Sequence, residues 1–229
     1  MATFHDFQLQ AARGHGAWRS EQKPLLRGWS HALAAVASAI FTGAMLSRAG
    51  ADPTRLAAAL VFGGSMVLLY TVSALYHRWY WEGRCYTVLH TLDHANIFIK
   101  IAGSYTPFCL LVLGGEAGLW LLAVVWLLAA AGICGSWLAL QLPRWAAVAQ
   151  YLGMGWIAVA LLPSIAAELS WTAVLVLVLS GLLYSAGGAI YALRRPDPIP
   201  HIFGYHEIFH LLVIAGNAVV AAVVWLWVL

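Results

Sequence analysis

Seven long, almost uninterrupted stretches of apolar residues run along the 229-residue chain, with short polar connections between them. A helix that crosses a bilayer needs about 20 mostly apolar residues, and each stretch is close to that length or longer. The sequence lacks the alternating pattern, about 10 residues per strand, that is typical of membrane β-barrels. The stretches cover approximately residues 29–47, 56–80, 88–113, 118–141, 144–166, 171–193 and 203–229.

This pattern predicts an all-α, polytopic membrane protein in which residues 29–229 form one seven-transmembrane-helix bundle. Residues 1–28 are expected to form a cytoplasmic N-terminal segment, for which a stretch on the membrane surface and a partly ordered tail are both open alternatives. Composition agrees with the pattern, because 62% hydrophobic and 9% charged residues, with a mean hydropathy of +0.81, exclude a water-soluble protein.

Basic residues are distributed unequally between the two ends of the predicted helices. With the N-terminus in the cytoplasm, nine of the twelve basic residues lie inside, two lie outside and Lys100 lies within a helix. The nine are Arg13, Arg19, Lys23, Arg27, Arg78, Arg84, Arg144, Arg194 and Arg195, and the two are Arg48 and Arg55. Cytoplasmic loops of membrane proteins carry this excess, so the N-terminus is predicted to be cytoplasmic. The net charge of +3 is explained by this asymmetry and by contact of the basic loops with anionic lipid, and it indicates no nucleic-acid partner.

Ionisable residues within membrane helices are costly and usually functional. Ser73 and His77 stand one turn apart at the end of the second predicted helix, Asp93 stands in the first turns of the third, and His206 and His210 stand in the first turns of the seventh. The alternating directions of the helices place all of these positions at one level, near the cytoplasmic side.

Three histidines at one level predict a metal site. His206 and His210, at i and i+4, can aim at one ion, and His77 on a facing helix supplies a third ligand. Three protein ligands with a fourth position left for water are the catalytic arrangement for Zn²⁺, and neutral imidazole suits that metal. Asp93 is then expected to accept the proton of the bound water or to orient that water, and Ser73 to form a hydrogen bond to the water or to the substrate carbonyl. The alternative is that interfacial histidines merely reach toward lipid headgroups.

The seventh helix also contains the H-E-x-x-H pattern of zinc proteases, as "HEIFH". In that pattern Glu207 is the general base, so Glu207 and Asp93 compete for the role. Only 19 residues follow His210, all but one of them uncharged and apolar, so a third metal ligand has to come from an earlier helix.

Several polar residues near these positions are candidates for a supporting shell or a substrate cavity. His90 and His94 flank Asp93, and either one supports a ligand or simply faces headgroups. Lys100 follows Asp93 at helical spacing, about 10 Å deeper at about 1.5 Å per residue. Asn217 stands seven residues after His210 at a similar depth. A polar cavity reaching toward mid-membrane is expected, with Lys100 bound either to a lipid carboxylate or carbonyl, or to internal partners such as Asn217.

The stretches "SALYH", "LDHANIFIKIAGSYTPF" and "FGYHEIFH", in this order on the second, third and seventh helices, resemble the hemolysin III family, the bacterial branch of the progestin and adiponectin receptor superfamily. The resemblance covers residues 24–229. It implies a seven-helix protein of the bacterial inner membrane with a cytoplasmic-side zinc site, in which His77, His206 and His210 are the ligands. It also implies that Asp93 contacts the zinc-bound water, with Ser73 beside it. Because the superfamily includes alkaline ceramidases, the resemblance implies lipid amide hydrolysis.

One stretch departs from the family pattern. Members usually carry a Glu and an Asn before a Thr-His pair in the first helix, whereas this chain reads "KPLLRGWSHALA". Only Ser30 and His31 match, and Arg27 stands where the Asn is expected. A contribution of the first helix to the site is therefore not predicted.

Three functions are carried forward. The first is a zinc-dependent membrane hydrolase that acts on a lipid-like amide or ester and contributes to lipid homeostasis. The second is a non-enzymatic lipid sensor with a structural zinc, and the third is an intramembrane H-E-x-x-H protease. The expected partner is a membrane lipid or lipid-like substrate, while the oligomeric state is left open.

Overall fold

The computed structural model describes residues 23–138 and 142–229, and this part of the chain is helical, with a single isolated β-bridge between Ile199 and Phe203. We number the helices α1 Trp29–Ala49, α2 Pro53–Arg78, α3 Gly83–Pro107, α4 Gly115–Trp137, α5 Arg144–Trp156, α6 Leu162–Glu168, α7 Trp171–Leu193 and α8 Tyr205–Val223. α3 and α8 continue as π-helical turns, at Phe108–Leu113 and Val224–Val228, and a 3₁₀ turn, Ile157–Leu161, joins α5 to α6.

The described helices correspond to the seven predicted spans, which confirms the predicted all-α membrane fold. Six helices are individually long and apolar enough to cross a bilayer: α1, α2, α3 with its extension, α4, α7 and α8. α5 and α6, a pair bent by 50°, give a seventh candidate when the two helices are counted together as one span. The last residues of the predicted fourth stretch, 139–141, lie outside the described part.

α1 to α4 pack side by side in chain order, α5 packs against α7 and α3, and α8 closes the arrangement against α1 and α7. One core cluster includes Met45, Phe62 and Val223, and a second includes Phe98 and Val125. Many large apolar side chains face outward instead, as expected of a surface that meets lipid tails.

Close approach of α2 and α3 depends on Gly103. A Cβ atom at this position would lie 2.4 Å from Ser65 Oγ, so a larger residue would push the two helices apart. This contact fixes the part of α3 that carries Lys100 against α2, where Lys100 Nζ lies over the ring of Phe62.

Residues 23–28, which we call the strap, cross the end of the bundle where α2 finishes and α8 begins. The backbone N–H of Leu25 donates to His201 O and that of Leu26 to Ile202 O, at 3.0 and 3.2 Å. Lys23 Nζ donates to the carbonyl of Trp79 at 2.7 Å, and partial burial and then the nearby Arg27 lower the pKa of Lys23 from its usual value. The structure describes the predicted segment 1–28 only from Lys23 onward. The two alternatives for this segment, a stretch on the membrane surface and a partly ordered tail, therefore lie outside the described residues.

The strap turns into α1 at Gly28, which has a φ of +81°. A Cβ atom there would lie 3.3 Å from His77 Cβ and 3.2 Å from the backbone nitrogen of Arg78. We expect Gly28→Ala to lower stability by about 1–2 kcal/mol, because the left-handed conformation is unfavourable for alanine and the contacts are tight. Thermal unfolding measures this, with Gly50→Ala as a control that has positive φ and open space around it. Equal losses of stability in Gly28→Ala and Gly50→Ala would show that the tight packing of Gly28 against α2 adds nothing to the effect.

Candidate metal centre

Three histidine side chains meet where α2 ends and α8 begins. One ring nitrogen from each of His77, His206 and His210 lies within 4.8 Å of the other two. The Nε2 atoms of His77 and His206 are 3.2 Å apart. Two nitrogens bound to a tetrahedral zinc, at about 2.0–2.1 Å each, would be about 3.3 Å apart. The three imidazoles therefore fit a zinc ion in number, chemistry and spacing, and we call them the His triad.

Local structure explains how α8 delivers two of these ligands. The helix starts at Tyr205, whose backbone N–H donates to Asp197 Oδ1 at 3.0 Å. Within the first turn, Glu207 Oε2 accepts from the N–H of Gly204 at 2.8 Å, which satisfies another free donor at the start of the helix. His206 and His210, one turn apart, then project from the same face toward His77.

Asp93 and Ser73 border the triad as predicted. Asp93 Oδ2 lies 3.5 Å from His77 Nε2, the same nitrogen that faces His206. The carboxylate thus lies on the ligand side of the imidazole and not behind it. The hydroxyl of Ser73, which is buried, lies beside the carboxylate. An acceptor and a hydroxyl are therefore both close to the point on which the triad converges.

Glu207, the rival base, has both carboxylate oxygens engaged elsewhere. Oε1 forms a short ion pair with Arg27 Nε of the strap, and Oε2 caps α8 through Gly204. The residue is 3% exposed. Its carboxylate joins the strap to α8, which is a structural role that the H-E-x-x-H pattern did not indicate.

His31 of α1 was not among the predicted site residues, and the structure brings it to the triad. Its ring stacks on His210 with centroids 3.8 Å apart and an angle of 7° between the planes. The ring is 3% exposed, and neither nitrogen has a hydrogen-bond partner among the described residues. The sequence signal that could have identified His31 was its level in the membrane, because it lies at the start of α1, at the same end of the bundle where α2 finishes.

His90 and His94 lie one turn apart on α3, outside the triad. Their rings are 4.4 Å apart, and His94 Nδ1 lies 2.9 Å from the carbonyl oxygen of His90. His90 also stacks on Tyr86 at 5.8 Å. Both histidines line the same cavity as the triad, while the hydrogen bond of the His94 side chain stays within α3.

The expected polar cavity is present. It has a volume of 2210 Å³, and its lining includes the His triad, Asp93 and, deeper in the bundle, Lys100. Asn217 also lines it, but its amide bridges two tyrosines: it accepts from Tyr184 at 2.8 Å and donates to Tyr70 at 2.8 Å. The side chain of Asn217 is thus bonded to the two tyrosines, and the hydrogen bond of Lys100 goes to Ser104 instead.

Comparison with known proteins identifies similar sequences. The sequence model described as "Haemolysin-III related" matches residues 19–221. The "Hemolysin-3 homolog" of Bacillus subtilis (strain 168) is 36% identical over 158 residues, which cover 69% of this chain and 71% of that protein. "Hemolysin-3" of Bacillus cereus is 35% identical over 169 residues, or 74% of each chain. The match to the sequence model includes α1 through most of α8, and with them every residue of the candidate site.

Proposed function

The chain belongs to the haemolysin-III-related family of multi-pass membrane proteins, and on that premise we propose that it is a zinc-dependent hydrolase of the bacterial inner membrane that cleaves a lipid-like amide or ester. The observation that carries this proposal is the position of Asp93, whose carboxylate approaches the triad at the ligand nitrogen of His77. Hydrolysis needs a proton acceptor beside the metal, and this carboxylate is in a position to supply one.

His77, His206 and His210 would hold the metal, and His31 would keep the ring of His210 in place by stacking. When bound, zinc supplies Lewis acidity and lowers the pKa of a water ligand to about 7. Asp93 would accept the proton at its carboxylate and return it to the leaving group. Ser73 would donate its hydroxyl to the carboxylate or to the substrate carbonyl.

The surroundings of the site favour a lipid-like substrate. The cavity extends from the triad into the membrane-spanning part of the bundle, and apolar side chains such as Phe108, Ile165 and Val213 form much of its wall. An acyl chain can occupy such a wall while its carbonyl reaches the polar end. This supports contribution to membrane lipid homeostasis as the physiological role.

A lipid sensor with a structural zinc is the second candidate. The triad joins α2 to α8, positions 129 and 133 residues apart in the chain, so a metal there would link the two helices. The protease alternative gains no support from the position of Glu207, which is bound to the strap.

We expect the purified protein to contain about one zinc per chain and to hydrolyse at least one lipid amide or ester in a panel of single-chain and two-chain substrates. A chelator should abolish turnover, and added zinc should restore it. Metal analysis and product detection by mass spectrometry measure both properties on one preparation. Protein purified gently without any transition metal would contradict the proposal, and full zinc without turnover on any substrate would favour the sensor.

A further inference from the structure

Lys100 is the charged residue that lies deepest in the described bundle and that the proposed hydrolysis does not use. It stands on α3 seven residues after Asp93, which is about 10 Å further into the membrane. Its side chain is 4% exposed, yet it lines the same cavity as the His triad. The chain contains only one other lysine, Lys23 in the strap.

The ammonium group has few partners inside the protein. Its Nζ donates to Ser104 Oγ at 2.5 Å, and Ser104 in turn donates to the carbonyl of Lys100 at 2.9 Å. Nζ also lies 4.4 Å from the centre of the Phe62 ring. Among residues 23–138 and 142–229, no carboxylate lies within 4.0 Å of Nζ, and Ser104 is its only hydrogen-bond acceptor.

This environment is unfavourable for a lysine that has no further partner. An ammonium carries three donors, and burial of a charge costs free energy unless the charge is paired. Ionisable residues at this depth in membrane proteins usually contact a partner or a ligand. An anionic ligand that enters the cavity, which Lys100 lines, would supply such a partner.

We propose that Lys100 and Ser104 form a second polar subsite, deeper than the His triad, that binds the carboxylate of a single-chain fatty acid. The group that binds has to be small and anionic, because one ammonium faces it and Ser104 already donates its proton to the carbonyl of Lys100. The rest of the ligand has to be apolar, because the wall of the cavity that Lys100 lines includes Phe108, Ile101 and Leu177. A carboxylate meets both conditions better than a phospholipid headgroup, which would bring a larger polar group to this depth. The subsite requires no metal and therefore goes beyond the proposed hydrolysis.

The test measures the binding of dodecanoate to the full chain in phosphatidylcholine nanodiscs. Lysine side chains labelled with ¹⁵N are observed by NMR in a Lys23→Arg background, where Lys100 is the only lysine. We expect dodecanoate to shift the Lys100 signal and dodecanol to leave it unchanged. Equal shifts with the alcohol would overturn the proposal, as would no shift with the acid. A larger response to dodecyl phosphate than to dodecanoate would also overturn it, by showing a phosphate site.

Variants separate this subsite from the metal centre. Native mass spectrometry should show that Lys100→Met weakens dodecanoate binding by roughly tenfold or more, because a charge-assisted hydrogen bond is lost. Lys23→Met is the matched control and should bind like the wild type. His210→Ala should also retain binding, whether or not the protein hydrolyses lipids. Binding that disappears with His210 but survives Lys100→Met would place the acid at the triad and refute the proposal.

Discussion

His210→Ala is expected to release the metal and to remove the effect of chelators on stability. His210 supplies one of three nitrogens, and the two that remain, on His77 and His206, leave too few ligands for tight zinc binding. A metal that binds only the folded protein adds about 4 kcal/mol when its free concentration is about 1,000 times Kd. The wild type should therefore melt at a lower temperature after chelation, and the variant should melt at the same temperature with or without chelator.

The control for this experiment is His201→Ala, which removes an exposed imidazole near the start of α8 but outside the triad. It should retain about one zinc per chain and the wild-type response to chelation. The variant His210→Ala also loses the stack with His31, so its melting temperature alone is ambiguous. Metal content resolves this: a full complement of zinc in His210→Ala would show that the triad is not the metal site.

The positions of the triad were predictable because they depend on local rules. Spacing of i and i+4 places His206 and His210 on one face of any helix, and alternating helix direction brings His77 to the same level. Neither argument needs the details of packing. The same reasoning placed Asp93 beside the triad and Lys100 about 10 Å deeper.

The contacts of α1 and of the strap were not predictable in this way. The ion pair between Arg27 and Glu207 joins residues 180 positions apart, and it depends on a turn at Gly28 that the apolar pattern does not contain. The level of His31 in the membrane was predictable from the start of α1, but the direction of its side chain was not. The H-E-x-x-H pattern offered Glu207 as a base that competes with Asp93, whereas the fold uses the Glu207 carboxylate to bind the strap.

Asp93→Asn is expected to retain zinc and lose turnover by a factor of about 10²–10⁴, the usual contribution of a general acid–base group. Asparagine keeps the shape of the side chain and its contact with Ser73, but its amide cannot accept the proton. The three zinc ligands are untouched. Zinc content, thermal stability and lipid hydrolysis should be measured on the same preparation, because a displaced α3 would also reduce activity.

The comparison with Glu207→Gln assigns the base. Glutamine can still accept the hydrogen bond from Gly204, but it loses the ionic contact with Arg27, so we expect reduced stability and nearly normal turnover per folded molecule. The reverse pattern, with activity retained in Asp93→Asn and lost in Glu207→Gln, would support the protease-type arrangement.

The same pair of variants separates the hydrolase from the sensor. If zinc only links α2 to α8, Asp93→Asn with full zinc and wild-type stability should complement a deletion strain, because proton transfer matters only for turnover. Complementation under those conditions would make the structural role of zinc the better explanation. If a stable, zinc-loaded Asp93→Asn protein fails to complement, catalysis is left as the function of the centre.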